Sequence, residues 1–376
     1  MKIAVLGVGR VGGAIAADLA KQGEFDVTAV DRSESALEAV SSIGGVSAVE
    51  ADLADADRLA ELARGQDMVV GAAPASLGYR TVETVVDTGT PIVDISFFEE
   101  DPFALDDLAR ARGVPAVVDA GIAPGLSNLI FGAVGAMSES VDRFVCYVGG
   151  LPVDRSGLFQ YKAPFSPADV IELYTRPARY VDAGEQLSAP ALSMVEEVRF
   201  PDFGVLEAFI TDGLRTLLHG ATVPHMREMT LRYPGHADQV RLLRDLGLFS
   251  KEPIAVGGVT VSPIKVTSRL LFPLWKYEPG EEDVTVFRVE VDAVEDGGSK
   301  RHVYEILDRY DAVTGTSSMA RTTGYVCTAL VRLVASGGYS VPGITAPETL
   351  GRVPGCLDRV TRQLAARGVS LSHTLE

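Results

Sequence analysis

The 376-residue sequence is poor in several things, and each shortage excludes something. It has three cysteines (Cys146, Cys327 and Cys356), an odd number at wide spacing with no CxxC, which argues against a disulfide framework and a structural zinc site. Buried thiols in a reducing compartment are the expectation. Five histidines show no HExxH spacing, so no metal site is expected. Basic side chains number 34 against 51 acidic ones, a net charge of −17, and only seven of the basic residues are lysines. Such a chain has no basic footprint for nucleic acid and no polybasic patch for a membrane. The first residues lack the longer apolar core and small-residue cleavage site of a secretory signal, so the cytoplasm is the expected compartment. The longest uncharged apolar stretch, Ala120 to Ser138, carries Pro124, Ser127, Asn128 and several glycines. It reads as a loop entering a buried helix rather than a membrane span.

Apolar residues make up 47% and charged residues 23%, the balance of a globular protein of about two domains. The acid is uneven. Residues 1–125 carry a net −12 and residues 126–376 a net −5. An anion bound by the first segment must therefore be held by local geometry against the surrounding field.

In the first 140 residues short Val-, Ile- and Ala-rich runs recur at 3–6, 27–30, 46–49, 68–73, 91–95 and 115–118. Helical patterns lie between them at 11–21, 35–41, 55–64, 79–87 and 103–112. This alternation predicts an α/β fold, a doubly wound parallel Rossmann sheet buried on both faces. Later the pattern changes. Runs at 284–294 and 302–310 flank Glu295-Asp296-Gly297-Gly298-Ser299, a hairpin signature. Further strands are expected at 144–148 and 229–232, and helices at 167–174, 236–246 and 319–334. The second domain is thus α+β, with an open mixed or antiparallel sheet. The expected division is 1–124 plus about 316–376 for the first domain and 125–315 for the second.

Gly7-Val8-Gly9-Arg10-Val11-Gly12 is a GxGxxG directly after a predicted strand and at the opening of a predicted helix. Asp31 follows at the end of the second strand, 19 residues past Gly12. Together these form a dinucleotide-binding context. Gly7 permits the tight turn, Gly9 lets backbone approach a pyrophosphate, and Gly12 lets helix pack on strand. The helix-start N–H groups, including those of Arg10 and Val11, point at the anion. Asp31 favours NAD, because it can accept from both ribose hydroxyls and would repel a 2′-phosphate; Arg32 could hold that phosphate, leaving NADP open. Asp52, Ala72, Pro74 and Ser96 follow the next strands and are further cofactor contacts, with Asp52 and Ser96 equally readable as helix caps.

The substrate side falls on the segment after the sixth strand, from Asp119 through Ala123-Pro124-Gly125 to Asn128. That segment, with Tyr147-Val148-Gly149-Gly150-Leu151-Pro152, Leu206-Glu207-Ala208-Phe209, Arg232-Tyr233, Gly235-His236-Ala237 and Met319-Ala320-Arg321-Thr322-Thr323, resembles the saccharopine dehydrogenase-like reductases, and within them the lysine 6-dehydrogenase branch. Lys162 departs from that branch's pattern. The resemblance implies a two-domain homodimer whose open sheet pairs across the dimer. It also implies oxidation of an amine carbon of an amino acid: hydride leaves Cε of L-lysine for NAD, and the imine hydrolyses to 2-aminoadipate 6-semialdehyde and ammonia. An amine with an ordinary pKa near 10.4 must lose its proton first, so a base is needed. Asp119, Tyr161, Lys162 and His236 are the candidates. Arg215, Arg232 and Arg321 are candidates for the forked cation that grips an α-carboxylate, with Thr211 and Thr322 as hydroxyl donors. Two alternatives stand beside this reading: a saccharopine, opine or carboxypolyamine reductase, and a dinucleotide-sensing protein without catalysis.

Overall fold

The computed structural model describes residues 1–220 and 222–376. The chain divides into two compact units, Met1–Ala136 with Ala320–Ser370 and Met137–Met319 with Leu371–Glu376.

In the first unit the predicted alternation becomes strands β1 (Lys2–Leu6), β2 (Asp26–Asp31), β3 (Val46–Glu50), β4 (Met68–Gly71), β5 (Ile92–Asp94) and β6 (Pro115–Val117). A seventh strand, Gly343–Thr345, arrives late in the chain and pairs with β6. Across the sheet the order is Gly343–Thr345, β6, β5, β4, β1, β2, β3, all parallel. The order reverses direction between β1 and β4, which opens a ligand crevice at the carboxyl ends of the strands. Leu6, Val69, Val85, Ile92, Phe98 and Ile344 share one core. Each such side chain, fully buried, contributes about 1.5–3 kcal/mol.

Two helices differ from the predicted ranges for local reasons. The helix expected from 79 begins at Ala75, directly after Pro74, whose fixed φ suits a helix start. The helix expected over 103–112 splits into a 3-10 turn, Pro102–Leu105, and a helix, Asp106–Arg112. Asp101 caps the turn, accepting from the Phe103 N–H at 2.9 Å. The unit also extends to Ala136 rather than ending near 124. Helix Leu126–Met137 packs so closely on the tail that a Cβ on Gly132 would lie 2.0 Å from the Glu348 carbonyl oxygen.

The second unit is built on a mixed nine-stranded sheet. Its main path runs Glu196–Phe200, Gly204–Thr211, His225–Arg232, Ser140–Pro152, Asp283–Glu295, Gly298–Arg309 and Ser372–Leu375. His225–Arg232 and Ser140–Pro152 are parallel; the other neighbours on this path are antiparallel. The expected hairpin turn over 295–299 tightens to Asp296-Gly297, with φ of 51° and 72°. Both residues are left-handed, as a two-residue hairpin turn of matching twist requires. The last strand, Ser372–Leu375, belongs to this sheet, so the tail after 316 is shared between the units. Helices Pro167–Thr175, His236–Asp245 and Pro263–Trp275 cover one face; the last has no clear apolar period in the sequence and contains Pro273. All three cysteines are buried thiols outside any disulfide. Among the described residues no helix is long and apolar enough to cross a membrane.

Candidate functional site

The turn after β1 shows which glycines the protein itself requires. Gly7 has a φ of 88°, and a Cβ there would lie 2.5 Å from the Ala72 carbonyl oxygen. A Cβ on Gly12 would lie 1.8 Å from the Gly7 carbonyl oxygen. On Gly9 it would meet nothing within 4 Å. The first and third glycines are therefore demanded by turn and packing. The bare backbone of the second faces open space, which suits the close approach of a ligand. Helix α1 (Arg10–Ala20) starts with Gly9 as its cap, which brings no side chain to the first-turn N–H groups. The Gly13 N–H makes the bond back to the Gly9 carbonyl at 2.8 Å, so the N–H groups of Arg10, Val11 and Gly12 precede it. These residues fit a dinucleotide pyrophosphate.

Asp31 stands beside this turn: its carboxylate accepts from the Val8 and Ser33 N–H groups, each at 2.9 Å. Arg32 next to it is exposed. Asp52 is exposed and accepts from the Ala54 N–H at 3.0 Å, a turn cap after β3. Ala72 hangs on the Leu6 carbonyl at the end of β4, and Pro74 is exposed at the next helix start. Ser96 is buried. Its hydroxyl and N–H both donate to Asp94, at 3.0 and 2.8 Å. Asp94 is fully buried, and a Cβ on Gly71 would lie 2.0 Å from its Oδ1. Asp94 was not among the expected site residues; the glycine ending the Val-rich β4 was its one trace in the sequence.

After β6, buried Asp119 takes a left-handed φ of 52°. The Ala120 N–H that follows donates to the Asp94 carbonyl at 2.8 Å. The loop then folds back on itself: Gly125 has a φ of 137°, and a Cβ there would lie 1.9 Å from the Gly121 carbonyl oxygen. A Cβ on Gly121 would touch Thr323 Cγ2 at 3.3 Å. The loop of Asp119 and the helix Ser318–Ala335, which carries Arg321 and Thr322, therefore meet within the first unit. Both residues are buried, and Arg321 Nη2 donates to the Arg367 carbonyl at 3.3 Å. The start of this helix is fixed by fully buried Asp283, which accepts from the Ser318 and Met319 N–H groups at 2.6 and 3.0 Å.

In the second unit Tyr161, Arg232 and His236 come together. The Arg232 guanidinium lies 4.4 Å over the Tyr161 ring and donates to the Tyr161 and Tyr174 hydroxyls, both at 3.4 Å. Tyr174 meets His236 Nε2 at 2.9 Å, and His236 Nδ1 meets the Phe159 carbonyl at 3.2 Å. A carbonyl only accepts, so Nδ1 carries the proton and Nε2 accepts from the Tyr174 hydroxyl. Burial, then the Arg232 charge, push the His236 pKa down to about 3. Trp275 and Phe209 complete the cluster. Tyr174 and Trp275 were not foreseen, because a Tyr inside an apolar helix pattern looks like core.

The other candidates have partners of their own. Lys162 Nζ is 2.5 Å from Glu281 in a part-exposed ion pair, which holds the Glu281 carboxyl below its ordinary range. Thr211 donates to Glu228 and sits 2.9 Å from the Thr230 hydroxyl. Burial pushes Glu228 up to about 7 against that hydrogen bond. Arg215 opens a buried 3-10 turn, Arg215–Leu218, at a φ of 48°. No group of three or more metal-ligating side chains gathers among the described residues.

The chain matches the saccharopine dehydrogenase C-terminal domain over residues 121–369 and the saccharopine dehydrogenase NADP binding domain over residues 3–117. It belongs to the saccharopine dehydrogenase family. A saccharopine dehydrogenase [NADP(+), L-glutamate-forming] of Saccharomyces cerevisiae is 24% identical, over 92% of this chain and 93% of its own. The mitochondrial alpha-aminoadipic semialdehyde synthase of Bos taurus is 20% identical, over 92% of this chain and 45% of its own. The solved apo saccharopine dehydrogenase (L-Glu forming) of Saccharomyces cerevisiae shares the fold, with a TM-score of 0.79 at 21% identity over 100% of this chain and 99% of that one. The protein is an NAD(P)-dependent oxidoreductase of amino-acid metabolism, and its first unit is the nucleotide-binding one.

Proposed function

We propose that the protein oxidises the carbon bearing the ε-nitrogen of a lysine-derived amino acid. The observation that carries the reading is the turn at Gly7, Gly9 and Gly12 with Asp31 beside it, in a member of this family. The bound dinucleotide supplies the hydride acceptor. Its pyrophosphate is held by the N–H groups at the start of α1, and its ribose by Asp31, which favours NAD. NADP is the second reading, because exposed Arg32 adjoins Asp31 and the yeast relative's name specifies NADP. Loss of hydride from the carbon leaves an imine, which water converts to an aldehyde and a free amine.

The relatives support a saccharopine-type donor, in which the ε-nitrogen carries a second amino acid. Free L-lysine, giving 2-aminoadipate 6-semialdehyde and ammonia, is the reading carried by the 119–128 and 319–323 motifs. Arg321 is the α-carboxylate cation and Thr322 its hydroxyl neighbour, because both lie on the helix that meets the Asp119 loop. Asp119, at the carboxyl end of β6, is the preferred proton acceptor. His236 has both ring nitrogens engaged, so with Tyr161 and Arg232 it is assigned a positioning role. Lys162 would have to leave Glu281 to take a proton, and Thr211 is engaged by Glu228; both stay behind Asp119 and Arg321, as does Arg215. Asp52, Ala72, Pro74 and Ser96 are assigned to the cofactor side, Ser96 through Asp94. A homodimer in the cytoplasm completes the proposal.

The test is nicotinamide absorbance with saccharopine or L-lysine and NAD or NADP, with the released amine identified. Glutamate from saccharopine supports the first donor, and ammonia from lysine the second. Binding of NADH with no turnover of either would favour the sensing alternative.

A further inference from the structure

We propose that the His302–His373 pair is a pH-sensitive latch, which holds strand Ser372–Leu375 on the large sheet and releases it in acid. The latch is independent of the donor and the nucleotide assigned above.

The strand has little else to hold it. It is four residues long, every residue is exposed, and it pairs only with strand Gly298–Arg309. Beside this ladder the Arg301 and Glu376 backbones exchange hydrogen bonds at 3.0 and 2.9 Å, and Ser372 Oγ donates to the Glu305 carbonyl at 3.3 Å. A single short edge pairing is marginal in water, so side chains decide whether it stays.

The deciding contacts share one face. His373 stands opposite Tyr304, and His302 is two residues from Tyr304 on the same strand. Arg301 and Glu305 alternate with them, so the Arg301–Asp292 and Arg288–Glu305 ion pairs occupy the other face. The Tyr304 and His373 rings stack with centroids 4.1 Å apart, and the His302 and His373 rings lie within 7° of parallel. His302 is buried, at 3% exposed. Its Nε2 is 2.9 Å from Glu295 Oε1 and its Nδ1 is 3.1 Å from His373 Nε2.

The chemistry of the partners fixes the protons. A carboxylate only accepts, so His302 Nε2 carries a proton. In neutral His302 the Nδ1 is then bare and accepts from the His373 Nε2–H. Glu295 stays ionised because Lys300 lies 3.0 Å away; Lys300, and then His302, hold its carboxyl below the ordinary range. Ser138 Oγ donates to the same carboxylate at 3.2 Å.

This pair can take one proton and keep its shared hydrogen bond. A second proton puts an N–H on both sides of the 3.1 Å gap and two positive rings in contact. Water can then satisfy both rings only if the strand leaves. Of the charged groups around the pair, Glu295 favours the second proton and Lys300 opposes it. Tyr304 faces His373 through its ring. Glu139 and Asp296 belong to the adjoining turn, where the Gly297 N–H at 3.0 Å and Lys300 at 3.5 Å engage them. Burial, and then the His302 charge, push the His373 pKa below its ordinary 6.5, with Glu295 acting the other way. The docked strand therefore prefers His373 neutral, while the detached strand takes up its proton near pH 6.5. Docking is at full strength above about pH 6.5 and weakens as pH falls below it. Release bares the backbone edge from His302 to Glu305, a row of N–H and C=O groups open to a new partner.

Hydrogen exchange read by mass spectrometry on the full chain tests the latch from pH 7.5 to 5.0. Rates for residues 371–376 are divided by those of the unfolded chain at the same pH, which cancels the chemistry of exchange itself. Protection of this segment should fall below about pH 6.5, by up to about tenfold per pH unit for each proton the pair takes up. Strand Asp283–Glu295 should stay protected throughout. In His373→Gln the amide still donates to His302 but does not titrate, so protection should be flat across the range. His225→Gln, which removes an exposed histidine paired with Asp182, should behave as the wild type. Ring-proton NMR of wild-type His302 and His373 gives a second reading if His373→Gln docks poorly at pH 7.5: loss of protection should follow the second proton taken up by the pair. Flat protection in the wild type while both rings titrate overturns the proposal. So does an equal fall in His373→Gln, or a fall shared by the whole sheet.

Discussion

Replacing Gly9 and Gly12 separately by alanine should divide binding from stability. The φ of −63° at Gly9 is open to any residue, and its new methyl meets no protein atom within 4 Å. As a cap, alanine is poorer than glycine by up to about 1 kcal/mol. For a unit of this size that is a shift in Tm of roughly 2–4 °C. The methyl does fill the approach to the first-turn N–H groups. Charge-assisted hydrogen bonds are worth about 1.5–3 kcal/mol each, so losing one or two weakens dinucleotide binding about a hundredfold. At Gly12 the methyl would sit 1.8 Å from the Gly7 carbonyl oxygen, so the turn or the helix must move. Overpacking of this kind costs about 3 kcal/mol, a Tm loss of roughly 6–12 °C, and weakens binding as well. NADH fluorescence titration and thermal unfolding measure both quantities on each variant. Wild-type affinity in Gly9→Ala, or a Tm loss there as large as in Gly12→Ala, would refute the assignment of the open space at Gly9 to the cofactor.

Arg321→Ala should raise KM for the amino acid about a hundredfold, the loss of a forked hydrogen bond to carboxylate; unchanged KM and kcat would remove Arg321 from the site. Glu228, pushed up to about 7 from 4.5 by burial, keeps a proton in the native state that the unfolded chain has already lost. Stability should therefore fall as pH rises from 4.5 through 7, and Glu228→Gln should flatten that slope and raise Tm above pH 7; the same slope in both proteins would count against it. Burial alone would raise the Asp18 carboxyl, but Arg367 at 2.6 Å and Arg332 at 2.8 Å hold it below its ordinary range. Asp18→Asn should cost about 3 kcal/mol by leaving Arg367 without its carboxylate while Arg332 keeps Glu24 at 2.9 Å, read as a lower denaturation midpoint; a change under about 1 kcal/mol would contradict the pairing.

The parallel sheet and its nucleotide turn were legible because their signals are local. A strand buried on both faces must be apolar throughout, and a turn where an added Cβ would lie 1.8 or 2.5 Å from a backbone oxygen must be glycine. Gly7, Gly12 and Asp31 could be placed by number from spacing alone. The two-residue hairpin turn was half legible, since Asp296-Gly297 stands in the middle of the expected loop. Strand Gly343–Thr345 was not, because three residues carry no period and its place depends on chain that returns more than 220 residues after β6.

The substrate side divides the same way. Residue types and motifs named Asp119, Arg232, His236 and Arg321. Only the fold shows that Arg232 and His236 are joined through Tyr174, that Thr211 is held by Glu228, and that Lys162 already has a carboxylate. Such partners come from elements distant in sequence: Tyr174 is 62 residues from His236 and Glu281 is 119 from Lys162. The sequence by itself determined the α/β class, the dinucleotide turn and the family. Tertiary structure alone decided which polar side chains are spent on each other, because hydrogen bonds and burial depend on distance in space, which residue order does not encode.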